Sequence, residues 1–171
     1  VDALRTDVKK NLEREVKFRV LGRNKAAVMD ALVGAAELDV PTALVEGETE
    51  RMIESARADL KQRGVKDAEK APIPPELFKD QAERRVRLGL VVAELVRTNN
   101  LQAKPEQLQA HIEEMSQSYE KPAEVMRWYL SDRQRMAEVE AIVIESNVTA
   151  HVLGQAQVTD KALPFDDLMS A

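Results

Sequence analysis

The sequence predicts an all-α fold: an elongated multi-helix domain with a buried central helix and projecting helical arms. Three observations carry this. Apolar residues recur at three- and four-residue steps along most of the 171 residues. The breaks between these runs are opened by proline or closed by glycine or asparagine. One stretch, Phe78 to Leu101, is apolar around most of a helical circumference, so its helix needs cover on most sides. Within it only Arg87 and Glu94 are charged between Val86 and Val96, seven positions apart on one narrow stripe. A buried strand over Val86–Val96 is the competing reading, but Arg84, Arg87, Glu94 and Arg97 fall at helical intervals.

Taken in order, residues 2–38 form a long helix in which Leu4, Val8, Leu12 and Val16 step by four, loosened at Gly22. Glu13 and Lys17 are among its favourable i,i+4 pairs. Asp39-Val40-Pro41 stops it; Asp39 is suited to cap the next helix, residues 41–63, with Pro41 in the first turn and Gly64 beyond the last. Residues 65–72 read as a loop. The central helix covers residues 75–99. Lys104-Pro105 starts a fourth helix with Leu108, Ile112, Met115 and Tyr119 along one seam, and Glu120-Lys121-Pro122 is a tight turn. A single fifth helix is expected over residues 122–153, ended by Gly154, forming an antiparallel arm hairpin with the fourth. Residues 154–171 form a tail whose Phe165, Leu168 and Met169 can fold back. Residues 1–171 thus read as one helical domain. Similar openings at Pro41 and Pro74-Pro75 lack the landmarks of a tetratricopeptide repeat.

At 1.5 Å per residue the first and fifth helices would be roughly 50 and 45 Å long, longer than a compact domain of this size, about 40 Å across. That length is the reason to expect projecting limbs.

Composition excludes several functions. The net charge of −5 argues against nucleic-acid binding, and no apolar run approaches membrane-spanning length. There is no cysteine, which makes a cytoplasmic location the expectation. Because the chain starts at Val1 and enters a helix at once, it reads as a piece of a longer protein.

No catalytic, cofactor or metal site is expected. His111 and His151 lack partners at metal-ligand spacing, Ser116 and Ser118 belong to no triad pattern, and the glycines are scattered singly. Glu113 and Glu114 are adjacent on a helix and point apart. The informative feature is apolar surplus. Met115, Tyr119, Val125, Met126, Trp128, Tyr129 and Leu130 crowd both sides of the tight turn between the two helices, more than a single hairpin seam can bury. Either a neighbouring part of the fold covers them or they form an exposed patch that binds partners. Leu44, Val45, Leu77 and Phe78, just inside two proline-led helix starts, make a second group.

The stretch ERRVRLGLVVAELVRTNNL, preceded by IPPELFKDQAERR, resembles the central helix of the C-terminal domain of bacterial trigger factor. LRTDVKKNLERE, LDVPTALVEGE, QAHIEEMSQSYEKPAEVMRWYLSD and QAQVTDKALPFDDLM resemble successive blocks of that domain, in order. The family comprises ribosome-associated chaperones that meet nascent chains, with a ribosome-docking domain, a peptidyl-prolyl isomerase domain and this helical body with arms. The resemblance implies an ATP-independent chaperone domain that holds unfolded or nascent polypeptides, assists folding and export, and uses no cofactor. Tyr119, Val125 and Trp128 stand where the family has apolar arm residues, Trp128 replacing a smaller aromatic. The ribosome-binding signature Gly-Phe-Arg-x-Gly-Lys-x-Pro does not occur here. Ribosome contact and isomerase activity are therefore expected of missing domains, and homodimer formation is a further expectation. Gross binding by apolar cover, at ~25 cal/mol per Å², is roughly 7 kcal/mol for a patch of about 300 Å² before ordering costs. The alternative is a helical adaptor or self-associating assembly protein with one folded partner.

Overall fold

A computed structural model describes residues 2–169 and is all-α. Its helices are α1 (Asp2–Ala35), α2 (Thr42–Gln62), α3 (Glu76–Asn99), α4 (Pro105–Ser116), α5 (Pro122–Leu130), α6 (Arg133–Gln155) and α7 (Phe165–Met169). The last two residues of the expected tail, 170 and 171, lie outside the described residues. The chain forms two compact units. One runs from Ala31 to Glu94; the other gathers the chain up to Asp30 with the chain from Leu95 onwards.

In the Ala31–Glu94 unit, Val45 and Met52 of α2 close over Ala82 of α3, with Val40, Phe78 and Val86 at the margin. Val45 and Met52 are seven apart, two turns on one face of α2, which is why they share this core. α2 ends in a Schellman motif. Gly64, at φ 78°, donates its N–H to Lys61 O at 3.0 Å, and Val65 N donates to Leu60 O at 3.0 Å. Its start differs from expectation: Pro41 holds the N-cap position and no side chain caps there, so Asp39 does not act as the cap. The loop after α2 contains a short 3-10 turn, Ala68–Lys70, with Ala68 buried.

Cover of α3 is partial. Ala82 is fully buried, while Val86, Leu88, Leu90, Val91, Val92, Leu95 and Val96 are half-buried. The charged stripe has its own use. Arg87 donates to Ala36 O at 3.2 Å and Leu38 O at 3.1 Å, just past the end of α1, and pairs with Glu83 at 3.0 Å. A guanidinium thus satisfies carbonyls left beyond the end of α1 that no helical N–H reaches. α3 closes at Asn100, whose φ of 54° is the left-handed turn that asparagine tolerates.

In the other unit α4, α5 and α6 pack on one another. Ile112 of α4 meets Val139 and Val143 of α6, with Leu108, Met126, Tyr129 and Met136 around them. An amide pair fixes the register. Gln107 Nε2 donates to Asn147 Oδ1 at 2.8 Å, and Asn147 Nδ2 donates back at 3.2 Å and to Leu101 O at 3.2 Å. α1 is tied to α4 by Lys17–Glu114 at 2.6 Å and to α6 by Lys25–Glu145 at 2.7 Å.

The single fifth helix is corrected to two. The ladder stops at Leu130 and restarts at Arg133, because Asp132 turns its carboxylate to the new helix start: Oδ1 accepts from Gln134 N at 2.8 Å and Arg135 N at 3.1 Å. A capping aspartate offers the backbone an alternative to helix continuation, so neither proline nor glycine is needed. α6 also runs one residue past Gly154, to Gln155.

Candidate functional site

The apolar surplus resolves around the α4–α6 core. Met126 and Tyr129, one turn apart on α5, turn inward against Ile112, Val139 and Val143. Met115 and Val125 are half-buried. Tyr119, in the turn after α4, stays 58% exposed, and Trp128 stays 52% exposed on the outer side of α5. Leu130 at the end of α5 is exposed too and lines a groove with Met136 and Ala137 at the α5–α6 break.

Trp128 is exposed but not loose. The Arg135 guanidinium lies 3.8 Å from its ring centroid, and Arg135 also donates to the Trp128 carbonyl. The Tyr129 ring meets it edge-on, with centroids 4.9 Å apart and planes at 84°. Arg135 is in turn 3.5 Å from Asp132. Backbone N–H groups of Arg135 and Gln134, helped by the Arg135 charge, hold the Asp132 carboxyl below its ordinary range. The break between α5 and α6 therefore presents a braced indole, held by a cation over one face and by the Tyr129 ring, with about half of its surface open.

The second group divides in the same way. Val45 is 8% exposed and packs in the core with Met52 and Ala82, so it offers little surface to a partner. Phe78 packs against that core and is half-buried. Their sequence neighbours point outward. Leu44 lines a groove with Gly47, Val86, Gly89 and Leu90, and Leu77 is 71% exposed. A helical step of 100° separates each exposed residue from its buried neighbour. The ten predicted residues thus resolve into Leu44, Leu77, Tyr119 and Trp128 outside, Val45 inside, and Phe78, Met115, Val125, Met126 and Tyr129 at the margins.

The prediction left out Leu130 as a site residue, and with it the stripe Leu4–Val8–Leu12 on α1, which is exposed. The signal was present: three apolar residues at steps of four with no second helix assigned to cover them. Among the described residues no cluster of His, Cys, Asp or Glu is arranged to hold a metal ion. None of their buried side-chain nitrogens or oxygens lacks a hydrogen-bond partner. No described helix is long and apolar enough to cross a membrane.

The sequence model of the bacterial trigger factor C-terminus matches residues 1–154 of this chain. The chain belongs to the trigger factor family. Trigger factor of Polaromonas naphthalenivorans is 73% identical over 169 residues, which are 99% of this chain and 39% of that protein. Trigger factors of Acidovorax sp. (strain JS42) and Variovorax paradoxus are 71% and 69% identical, each again over 99% of this chain and 39% of the relative. The chain therefore spans about two-fifths of these relatives' length. The segment after Gly154 lies beyond the family match but within the matches to the individual trigger factors.

Proposed function

We propose that this chain holds unfolded or nascent polypeptide segments without ATP and without covalent chemistry, as the polypeptide-holding part of a trigger factor. The carrying observation is the pair Tyr119 and Trp128, large aromatics left more than half exposed beside a core that is already satisfied. The part of each ring that remains in water is apolar area that a partner can cover. Covering about 100 Å² of each ring would return roughly 2–3 kcal/mol gross. Ordering the bound segment consumes part of that, so each contact is weak and reversible. Several separated contacts, with Leu44 and Leu77 among them, raise retention of a long chain far more than of a short one.

The match to the C-terminal part of trigger factor supports a division of labour within the whole protein. Ribosome docking and prolyl isomerisation belong to the parts of the relatives that this chain does not span. A cytoplasmic location, assistance to export and homodimer formation complete the proposal.

The test is suppression of aggregation for several unrelated denatured proteins, by the wild-type chain and by Tyr119→Ala/Trp128→Ala. A holding domain protects all of them, and the double variant protects less. A chain that ignores unrelated clients but binds one folded protein is an adaptor, and the proposal fails. Equal protection by the double variant removes these aromatics from the client site.

A further inference from the structure

A cleft between α2 and α3 has one apolar end and one charged end. Leu44 and Gly47 of α2 and Gly89 and Leu90 of α3 line the first; Glu48, Arg51 and Arg85 stand at the second, and about 470 Å³ is open between the helices. That is within the ~300–1,000 Å³ usual for binding clefts. The polarity follows from the order of residues. Along α2 the lining runs from Ala43 to Arg51, along α3 from Leu90 back to Arg85, and an Arg85–Glu48 bond of 3.1 Å joins the charged ends. The two glycines leave the apolar end open. Neither has the positive φ of Gly64, and a Cβ added at either would meet no atom within 4 Å. Alanine is the better helix former, and a longer side chain at either position would enter the cleft.

The charged end holds two cations on one anion. The Glu48 side chain, only 20% exposed, meets Arg85 through Oε1 at 3.1 Å and Arg51 through Oε2 at 3.6 Å. This end is therefore positive by one charge on a chain whose net charge is −5. The bond from Arg85 uses one of the five N–H donors that a guanidinium carries, and both arginines are mostly exposed. A second carboxylate fits these donors, since it balances the charge and accepts from a planar guanidinium. From Ala43 to Arg51 the cleft runs about 12 Å at the helical rise, the span of roughly ten carbons joined by ~1.5 Å bonds. We propose that the α2–α3 cleft binds an amphipathic monocarboxylate with an unbranched alkyl chain of about eight to twelve carbons. The carboxylate meets Arg51 and Arg85, and the alkyl chain lies over Leu44, Gly47, Gly89 and Leu90. This goes beyond the holding function and does not rest on it, although Leu44 is common to both.

The probe is decanoate, titrated below its micelle concentration into the whole chain at neutral pH and read by calorimetry, beside decylammonium of the same chain length. One decanoate binds per chain, about tenfold or more tighter than decylammonium. Arg51→Gln/Arg85→Gln weakens decanoate by about tenfold or more. Gly89→Leu fills the apolar end and abolishes binding without lowering the thermal midpoint, because the new Cβ meets open space. Tyr119→Ala/Trp128→Ala leaves decanoate binding unchanged. No binding, several decanoates per chain, equal binding of the two amphiphiles, or binding that survives Gly89→Leu overturns the proposal. So does loss of binding in Tyr119→Ala/Trp128→Ala, which would place the alkyl chain on the aromatics. Light scattering showing that decanoate acts only by separating dimers also overturns it, and would make the cleft a contact between two copies. If decanoate fails to bind while unrelated denatured proteins are still protected, the holding function stands and only this site falls.

Discussion

The Arg135 guanidinium lies 3.8 Å from the centroid of the Trp128 ring, across the break between α5 and α6. The pair braces an indole that is about half exposed to solvent, and it does so from the helix that Asp132 starts. Because Trp128 is the chain's one tryptophan, its emission reports this contact without interference. Arg135→Ala should shift emission to the red, increase quenching by iodide, and cost about 0.5–1 kcal/mol of stability. An unchanged spectrum would mean that the guanidinium does not hold the ring in solution.

Client binding has an optical consequence at the same residue. A segment lying on the open surface of Trp128 removes water from it, so adding a denatured client should shift the emission to the blue. Tyr119→Ala leaves the fluorophore intact and should reduce the size of that shift. No shift with any client would separate holding from this ring.

Asp132 makes the α6 start pH-dependent. Its carboxyl sits below the ordinary aspartate value because backbone N–H groups of Arg135 and Gln134 bond its charged form. A depressed folded-state pKa contributes stability that is complete above the unfolded value, about 3.9, and is lost as pH falls through the folded value. Thermal midpoints of the wild type and Asp132→Ala should therefore differ by a few degrees at neutral pH and converge in acid. A gap that persists at pH 2 would assign the loss to something other than this charge.

Adjacent residues Leu44 and Val45 should behave oppositely. Val45→Ala opens the α2–α3 core and should cost about 2 kcal/mol in urea unfolding. Leu44→Ala, on the exposed side, should cost below about 0.5 kcal/mol and act on client retention instead. Similar stability losses for both would contradict the placement of the core.

Arg87→Met keeps most of the apolar stem but removes the donors to Ala36 O and Leu38 O. The carbonyls and Glu83 lose a charged partner, a loss of about 2 kcal/mol. Hydrogen exchange at the C-terminal end of α1 is the direct readout, and it should accelerate there before the rest of the helix.

Helix type and order were legible because their causes are local. Four-residue steps, prolines at starts, and Gly64 and Asn100 in left-handed turns act within a few residues of themselves. The family signature around residues 83–101 was legible for the same reason. The break at residues 131–132 was also local, yet it was passed over. Asp132 competes as a cap inside an apolar pattern that continues across it in phase, and periodicity alone does not show that competition.

Exposure was decided elsewhere. Leu44 and Val45, Leu77 and Phe78, and Trp128 and Tyr129 are pairs of chemically similar neighbours, and within each pair one residue faces a core and the other faces water. A step of 100° separates them, but which direction is inward depends on partners from distant parts of the sequence: Ala82 for Val45, Ile112 and Val143 for Tyr129. The sequence by itself determined that this is a helical trigger factor domain with more apolar surface than its hairpin can bury. Only the tertiary structure decided which of those residues remain open to a client, since burial is a property of pairs of surfaces and not of either one.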